Sequence, residues 1–167
     1  MTNGRQSIDR RDAVRLWLRV LSCTNAIEAR IRSELRQRFD TTLPRFDVLA
    51  QLDHAEREGT GALTMGELSR RLMVSNGNVT GLVERLEREG LVSRTRPAND
   101  RRRQTVRLTS GGRRALRAML PEHSAWVSAM FAGLSAKERA RLYDLVGKLK
   151  GSVGAGRRET IERGAIE

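Results

Sequence analysis

A long stripe of apolar residues near the start of the chain constrains its fold more than any other feature. From Ala13 to Phe39, apolar side chains recur at spacings of three and four, which predicts one amphipathic helix with the stripe Leu16, Val20, Cys23, Ile27, Ile31 and Leu35. At about 1.5 Å per residue, such a helix would be about 40 Å long. A chain of 167 residues forms about one domain, which is too small to bury a helix of that length. We therefore expect this helix to pack against another chain.

Capping signals divide the next part of the chain into shorter helices. Pro44 suits the first turn of a second helix, after a break that follows Phe39. Thr64 and Glu67 have the spacing of a capping box, and Ser75 is the expected N-cap of the helix that follows. Gly90 suits the left-handed position that ends this helix. Two short helices joined by a tight turn predict a helix-turn-helix.

A β-hairpin with a cationic tip is predicted next. Residues 91–96 and 105–109 alternate in the manner of strands, and residues 97–104 form the turn between them. The whole chain has a net charge of +12, but residues 91–117 hold nine arginines against the single Asp100, a net charge of +8. Positive charge clustered in this way is the electrostatic footprint of a polyanionic partner.

Two further helices complete the predicted fold. Thr109 caps a helix from 110 to about 131, and a capping box of Ser135 and Glu138 opens a final amphipathic helix. The predicted fold is mainly α with a small β-hairpin. Flexible tails are expected at 1–11 and at 151–167.

Composition and spacing argue against several classes of protein. The longest apolar runs are only a few residues and the first residues lack the apolar stretch of a signal peptide, so we expect a soluble cytoplasmic protein. His54 and His123 have no partner at metal-ligand spacing, and there is no glycine-rich phosphate loop. We therefore expect no metal, no cofactor and no enzymatic activity. A lone cysteine, Cys23, excludes an internal disulfide.

The helix-turn-helix and the hairpin together predict a double-stranded DNA partner. The second helix of such a motif enters the major groove with its N-terminal residues at the base edges, and asparagine pairs well with adenine there. The predicted contacts on this helix are Ser75, Asn76, Gly77, Asn78, Thr80, Gly81 and Arg85. The predicted contacts of the hairpin tip are Arg101, Arg102 and Arg103, which suit a narrow minor groove, with Asp100 supporting one of them.

The two glycines of the predicted recognition helix call for a reason. Each costs about 1 kcal/mol of helix propensity relative to alanine. Close approach of the backbone to the duplex would explain Gly77 and Gly81, and so would tight packing against a neighbouring helix.

Three segments resemble the MarR family of bacterial regulators. They are MGELSRRL at 65–72, VTGLVERLEREGLV at 79–92 and DRRRQTVRLT at 100–109. The wing signature D-x-R…L-T of that family is met by Asp100, Arg102, Leu108 and Thr109. In the T-E-x-G that usually follows, the glutamate is replaced by Ser110, with Gly111 and Gly112 after it.

The resemblance implies a fold class that is mainly α with a small β-hairpin wing, a winged helix-turn-helix with long N- and C-terminal dimerisation helices. The implied segments are dimerisation helices at 12–42 and 110–150 and a winged helix-turn-helix DNA-binding domain at 43–109. The implied assembly is a homodimer, built from the first and last helices, that holds two winged helix-turn-helix lobes on a palindromic operator. It also implies a regulator, usually a repressor, that releases DNA when a small molecule binds between the dimerisation helices and the DNA-binding lobe. The segments 15–24 and 42–46 resemble most closely the regulators of aromatic-acid catabolism. An aromatic acid or its CoA thioester is therefore the implied effector.

An anionic effector needs a cation beside an apolar wall, because burying an unpaired carboxylate is costly. The predicted lining consists of Arg15, Trp17, Arg19, Ser22 and Cys23 in the first helix with Arg45, Phe46 and Leu49 in the second. The alternative is that the apolar members belong to the core and the arginines to a solvated face.

Two other functions stay open. One is a redox-sensing regulator acting through Cys23, since one MarR subgroup senses peroxides through a cysteine in its first helix. The position of Cys23 on the apolar stripe favours a buried, inert thiol instead. The other is a sequence-nonspecific nucleic-acid-binding protein. It would share the salt dependence of a regulator but not its ratio of specific to nonspecific affinity.

Overall fold

The computed structural model of the chain describes residues 9–95 and 104–163, with side chains as far as residue 154. Its elements in chain order are α1 (Arg10–Phe39), α2 (Leu43–Arg57), β1 (Leu63–Thr64), α3 (Met65–Leu72), α4 (Asn76–Arg88), β2 (Val92–Thr95), β3 (Thr105–Leu108), α5 (Ser110–Met130) and α6 (Ala136–Arg163). This confirms the predicted fold class, mainly helical with a small antiparallel sheet. The chain divides into two compact units, residues 1–124 and 125–167, and the division falls within α5.

Helix α1 begins earlier than the sequence predicts because an aspartate caps it. The Asp9 carboxylate accepts a hydrogen bond from the backbone N–H of Arg11 at 3.0 Å, so the helix starts at Arg10 rather than after a tail ending at residue 11. At the other end, Asp40 adopts a left-handed conformation with φ 46°, and its N–H donates to the carbonyl of Leu35. That conformation ends the helix and turns the chain into α2.

The apolar stripe of α1 is covered over only part of its length. Leu35 and Ile31 are buried within the chain, whereas Leu16 and Val20, on the same stripe, are 55% and 41% exposed. Helix α6 exposes a stripe of its own, consisting of Leu142, Leu145, Val146 and Leu149. Each helix thus carries apolar surface that nothing in the described chain covers.

The core of the first unit is built by α2, α4 and the sheet. Helix α2 buries one whole face, and α4 buries the face opposite its polar residues. The largest fully buried side chains in this unit are Leu35, Val48, Leu49, Leu52, Leu68, Val79, Val83, Leu86, Val92, Val106, Leu108 and Leu116. Because both α4 and the sheet contribute to this core, the position of one fixes the position of the other.

The sheet has one strand more than the predicted hairpin. Its order is β1-β3-β2, all antiparallel, with Val92 opposite Leu108 and Leu63 opposite Val106. Strand β1 is only two residues long, too short to show an alternation of apolar and polar residues. It ends at Thr64, which is also the N-cap of α3. The β1 pairing therefore attaches the start of the helix-turn-helix to the hairpin.

The predicted caps are all present. Thr64 and Glu67 form a full capping box, and Ser75 accepts a hydrogen bond from the Asn78 N–H. Similar N-caps come from Thr109, which accepts from the Gly112 N–H at 3.0 Å, and from Ser135, which forms a box with Glu138. Gly90 has φ +70°, and the hydrogen bonds from its N–H to Glu87 and from the Leu91 N–H to Leu86 close the helix as expected.

The last helix, α6, ends later in the chain than the sequence predicts. A dimerisation segment ending at residue 150 and a flexible tail from 151 were expected, but α6 continues to Arg163. The glycines of this stretch lower helix propensity without breaking the hydrogen-bond ladder, since Gly, unlike Pro, keeps its N–H. The Ser152 hydroxyl also donates to the carbonyl of Lys148 at 3.1 Å, on the helix itself.

Among the described residues, no helix is both long and apolar enough to cross a membrane. The same part of the chain brings together no group of three or more His, Cys, Asp or Glu side chains that could hold a metal ion. The two histidines have other neighbours. His54 Nε2 lies 3.1 Å from Glu58 on its own helix, and the His123 ring lies against Phe46 with 4.7 Å between the ring centroids.

Candidate nucleic-acid interface

The turn between α3 and α4 is held by backbone and side-chain hydrogen bonds. Met73 takes the left-handed conformation that ends α3, with φ 54°. The Val74 N–H donates to the carbonyl of Ser69 at 3.2 Å, and the Ser69 hydroxyl donates back to the Val74 carbonyl at 2.5 Å. Ser75 then caps α4. The turn is therefore defined on both sides, and it fixes the direction in which α4 leaves α3.

Helix α4 presents the predicted polar residues to solvent. Its buried face is formed by Val79, Val83 and Leu86. The opposite face is exposed and contains every residue that the sequence predicts to contact DNA on this helix, namely Ser75, Asn76, Gly77, Asn78, Thr80, Gly81 and Arg85. A helix that buries its apolar side and exposes asparagines and threonine at its N-terminus has the chemistry for reading base edges in a major groove.

Gly77 and Gly81 have no packing role among the described residues. A Cβ added at either position would meet no heavy atom within 4 Å. This removes tight packing against a neighbouring helix as the reason for these glycines in the described chain. Close approach of the backbone to the duplex, the other reason given for these glycines, stays a prediction.

Arg94, on β2, is neutralised by glutamates of α4. Its Nε donates to Glu87 at 2.5 Å and its backbone N–H donates to the other carboxylate oxygen at 3.3 Å. Glu84 lies farther away, at 3.8 Å from the guanidinium. The hydrogen bonds from Arg94 hold the pKa of Glu87 below its usual range. Arg94 is thus bound to α4, a contact that was not predicted from the sequence.

The tip of the hairpin is the most cationic part of the sequence. The predicted contacts Arg101, Arg102 and Arg103 and the predicted support Asp100 lie outside the described residues. The described strands end beside this segment, where the Thr95 and Thr105 hydroxyls lie 3.0 Å apart. Both strands are therefore tied together where the arginine-rich segment begins.

A cavity of about 580 Å³ lies between α1, α2 and the helix-turn-helix. Its apolar wall includes Leu43, Leu72 and Leu82, and its charged wall consists of Glu28, Arg32, Asp47 and Arg85. Gly77, Asn78 and Gly81 of α4 also line it, so the cavity reaches the candidate DNA-binding helix. Sequence analysis missed this site because its walls come from four helices whose approach no local pattern records.

Asp47 is the charged group of this cavity that is most affected by its surroundings. Burial raises the pKa of Asp47 to about 6, the Glu28 carboxylate adds to the rise, and the Arg32 guanidinium opposes it. Arg32 is itself paired with Glu28 at 2.7 Å. The carboxylate of Asp47 is therefore poorly compensated at neutral pH.

Asp47→Asn is expected to stabilise the protein near neutral pH. The pKa of Asp47 is about 6 in the folded protein against a usual value of 3.8. Protonated Asp47 therefore contributes fully to the stability of the folded protein below pH 3.8, and this contribution is lost as the pH rises through 6. After allowance for solvent screening, we expect a gain of about 1–2 kcal/mol in unfolding free energy at about pH 7.5. Urea unfolding at about pH 7.5 and pH 4 measures it, and the gain is expected to vanish at the lower pH.

Asp53→Asn is the matched control, on the same helix. It removes the ion pair with Arg57, whose atoms lie 2.6 Å apart, and is expected to give no stabilisation at either pH. An equal gain from both substitutions would show that helix charge, rather than burial of Asp47, is responsible.

The residues predicted to line a ligand pocket do not come together. Arg15, Arg19, Ser22 and Cys23 line a shallow groove on α1, and Trp17 on the same helix is 60% exposed. In α2, Arg45 is paired with Glu89, while Phe46 and Leu49 are buried in the core. The alternative interpretation, that the apolar residues of the predicted lining belong to the core, is thus correct for Phe46 and Leu49. The single pocket is not formed within the described chain, because the α1 residues line a surface groove whereas Phe46 and Leu49 lie in the core.

Cys23 is exposed, and not buried as its place on the apolar stripe predicts. The reason is that this half of α1 is not covered by any described part of the chain, as Leu16 and Val20 also show. The stripe predicts correctly that α1 is amphipathic, but burial depends on what lies opposite.

Several known proteins are similar to this chain. Residues 39–103 match a model of the MarR family. The chain is 34% identical over 135 residues, 80% of its length and 86% of the relative's, to an HTH-type transcriptional regulator of uncharacterised role from Bacillus cereus.

Solved structures are similar over most of the chain. A cysteine-to-serine variant of MarR from Escherichia coli, complexed with operator DNA, has a TM-score of 0.72 and 25% identity over 85% of this chain and 99% of that one. BpsR from Bordetella bronchiseptica, whose DNA binding is regulated by 6-hydroxynicotinic acid, has a TM-score of 0.65 and 24% identity over 79% of this chain and 98% of that one.

Proposed function

This chain belongs to the MarR family of DNA-binding transcriptional regulators, and from that premise we propose that it is a repressor that binds a palindromic operator as a homodimer. A small aromatic acid, or the CoA thioester of one, releases it. The observation that carries the proposal is the exposed face of α4, where uncharged polar residues and two unshielded glycines lie together. Such a face supports reading of bases, while the arginine-rich wing segment supports attachment to phosphates.

The homodimer is supported by apolar surface. Leu16 and Trp17 of α1 and Leu145 and Val146 of α6 are each at least half exposed. Monomeric proteins rarely leave contiguous apolar surface uncovered, so patches of this kind mark interfaces. Two-fold symmetry of the dimer would place two α4 helices on successive half-sites, about one helical turn apart.

The effector site we propose is the cavity between α1, α2 and α4. Its apolar walls suit an aromatic ring, and Arg85 can pair with a carboxylate, whereas Arg32 would first have to leave its ion pair with Glu28. The structural neighbour regulated by 6-hydroxynicotinic acid gives a precedent for a small aromatic acid. A ligand there would touch Asn78 and Gly81, and it would shift DNA binding to the extent that it prefers one position of α4.

The ratio of specific to nonspecific affinity tests the proposal. An operator is selected from a library of random duplexes, and its affinity is compared with that of a scrambled duplex at fixed salt. A regulator is expected to prefer the operator by about a thousandfold or more. A ratio near one would mean a nonspecific nucleic-acid-binding protein. The same operator complex, titrated with aromatic acids and their CoA thioesters, tests the effector, and release by none of them would contradict it.

Asn78→Ala is expected to lower operator affinity about tenfold and to leave the affinity for scrambled DNA unchanged, because it removes a base contact. Asn25→Ala, at an exposed asparagine of α1, is the control and is expected to change neither affinity.

Arg102→Ala is expected to weaken binding to both duplexes and to lower the slope of log affinity against log salt concentration by about one. The opposite pattern, with base preference lost in the arginine variant alone, would mean that the two elements are assigned wrongly.

Gly81→Ala separates stability from function. With no heavy atom within 4 Å of the new methyl group, the free protein is expected to gain about 0.5–1 kcal/mol from helix propensity. Operator affinity is expected to fall, because the methyl group would stand between the backbone and the duplex. Thermal unfolding and a gel-shift titration of one preparation measure both. Unchanged operator affinity in a stabilised protein would show that the helix does not approach DNA closely here.

A further inference from the structure

We propose that Glu87 is a positioning residue that sets the wing against the recognition helix through Arg94, and that operator specificity depends on this pair. The inference rests on the proposed function, since it concerns how the same surface fits a duplex. It goes beyond that function by assigning a role to two residues that face each other rather than the DNA.

The geometry of the pair is that of a clamp rather than a surface ion pair. One carboxylate oxygen of Glu87 accepts from the Arg94 side chain at 2.5 Å, and the other accepts from the backbone N–H of Arg94 at 3.3 Å. A side-chain ion pair alone would hold only the guanidinium. Because the backbone of β2 is also bound, Glu87 restrains the strand itself.

The place of the pair in the fold gives the clamp its consequence. Glu87 lies in the last turn of α4, and Arg94 lies next to the last residue of β2. Between them the chain reverses at Gly90, which has φ +70°. The turn at Gly90 and the Glu87–Arg94 pair thus connect α4 to β2 at two separate points. The arginine-rich segment begins directly after Thr95, so the direction of β2 decides where those arginines start relative to α4.

A role in direct phosphate binding fits Arg94 less well. Its side chain is only 24% exposed, and two glutamates, Glu87 and Glu84, neutralise it. The hydrogen bond from Arg94 lowers the pKa of Glu87, so the carboxylate stays charged and the pair stays formed at neutral pH. A positioning role accounts for both the burial and the neutralisation.

Glu87→Gln distinguishes positioning from charge. Removing an acidic group beside a DNA-binding surface is expected to raise affinity for scrambled DNA about twofold through electrostatics alone. If Glu87 holds the wing, the same variant is expected to lose about tenfold in operator affinity, so the ratio of the two affinities falls about twentyfold. Both affinities are measured at one salt concentration, with a selected operator and a scrambled duplex.

Glu84→Gln is the matched control, since it removes the same charge from the same helix but lies 3.8 Å from Arg94. It is expected to raise both affinities equally and to leave the ratio unchanged. Arg94→Lys keeps the charge of the strand and removes the Nε donor, so it is expected to lower the ratio without raising affinity for scrambled DNA. The Arg94→Lys variant also tests the positioning role in case the Glu87→Gln variant does not fold.

The outcomes separate the two proposals. A wild-type protein that does not distinguish the operator from scrambled DNA contradicts the proposed function. A wild-type protein that does, with a ratio that survives both Glu87→Gln and Arg94→Lys, contradicts the positioning role alone. The same ratio in the Glu87→Gln and Glu84→Gln variants would likewise show that Glu87 contributes only charge.

Discussion

Gly112→Ala is expected to destabilise the protein by about 3 kcal/mol or more, because the added methyl group has no space. Its Cβ would overlap the carbonyl oxygen of Leu91, and it would lie 3.0 Å from the carbonyl carbon of the same residue and 3.1 Å from Leu108. The first of these atoms belongs to the backbone, which cannot move aside as a flexible side chain can. Relief would require α5 to move away from the turn after α4.

That movement is opposed by a hydrogen-bond network. The Thr109 N–H donates to the Leu91 carbonyl at 3.2 Å, and the Thr109 hydroxyl donates to the Gly90 carbonyl at 2.6 Å. The same hydroxyl oxygen accepts from the Gly112 N–H at 3.0 Å, as the cap of α5. Moving α5 would break these bonds, so the strain of the alanine variant has no easy outlet.

Urea unfolding measures the loss, with Gly66→Ala as the control. Gly66 lies in the first turn of α3, and a Cβ there would meet no described heavy atom within 4 Å. The control is expected to keep or slightly raise stability through helix propensity, whereas the Gly112 variant loses it. Equal stability of the two variants would mean that the first turn of α5 adjusts freely, contrary to the contacts described.

The structure explains why the sequence pattern requires a glycine at Gly112. The glycine of the T-E-x-G pattern falls at Gly112, but the pattern alone does not say why a glycine is needed. The structure supplies the reason in Leu91, a residue 21 positions earlier in the chain, whose carbonyl occupies the place of a side chain. Contacts of that separation cannot be derived from local spacing.

The same distinction explains which elements were predicted correctly. The caps at Thr64, Ser75, Thr109 and Ser135 depend on contacts within three residues, so the sequence holds all the information that they need. The start of α1 at Arg10 also follows a local cap, but one that the apolar periodicity did not indicate. Local hydrogen bonding is therefore the most readable part of this fold.

Features that depend on distant segments were missed. Strand β1 exists only because Leu63 meets Val106, and two residues carry no periodicity of their own. The cavity needs α1, α2, α3 and α4 in their final places, and its charged members look like ordinary surface residues in the sequence. The predicted ligand residues of α2 failed for the converse reason. Phe46 and Leu49 are apolar at helical spacing, which core packing explains equally well.

The proposed homodimer predicts that Leu16→Glu makes the protein a monomer and lowers operator affinity more than about a hundredfold, since a monomer would hold only one half-site. The stripe that buries Ile31 and Leu35 at one end of α1 leaves Leu16 55% exposed at the other. A continuous stripe with one covered end supports the proposal that another chain covers the exposed end. A glutamate there would have to be desolvated on dimerisation without a partner, which is strongly unfavourable.

Sedimentation and a gel-shift titration with the selected operator measure the two effects, and Asn25→Glu is the matched control. Asn25 is nine residues further along α1, which at about 100° per residue places it half a turn from the stripe. The Asn25→Glu substitution introduces the same charge on the opposite face, so the control is expected to remain dimeric and to keep its operator affinity within about twofold.

A Leu16→Glu variant that stays dimeric would show that the exposed end of the stripe is not the interface. A monomeric variant with undiminished operator affinity would show that one helix-turn-helix suffices, and that the palindrome is unnecessary. Only the joint loss of dimer and operator binding connects the long first helix to the reading of DNA.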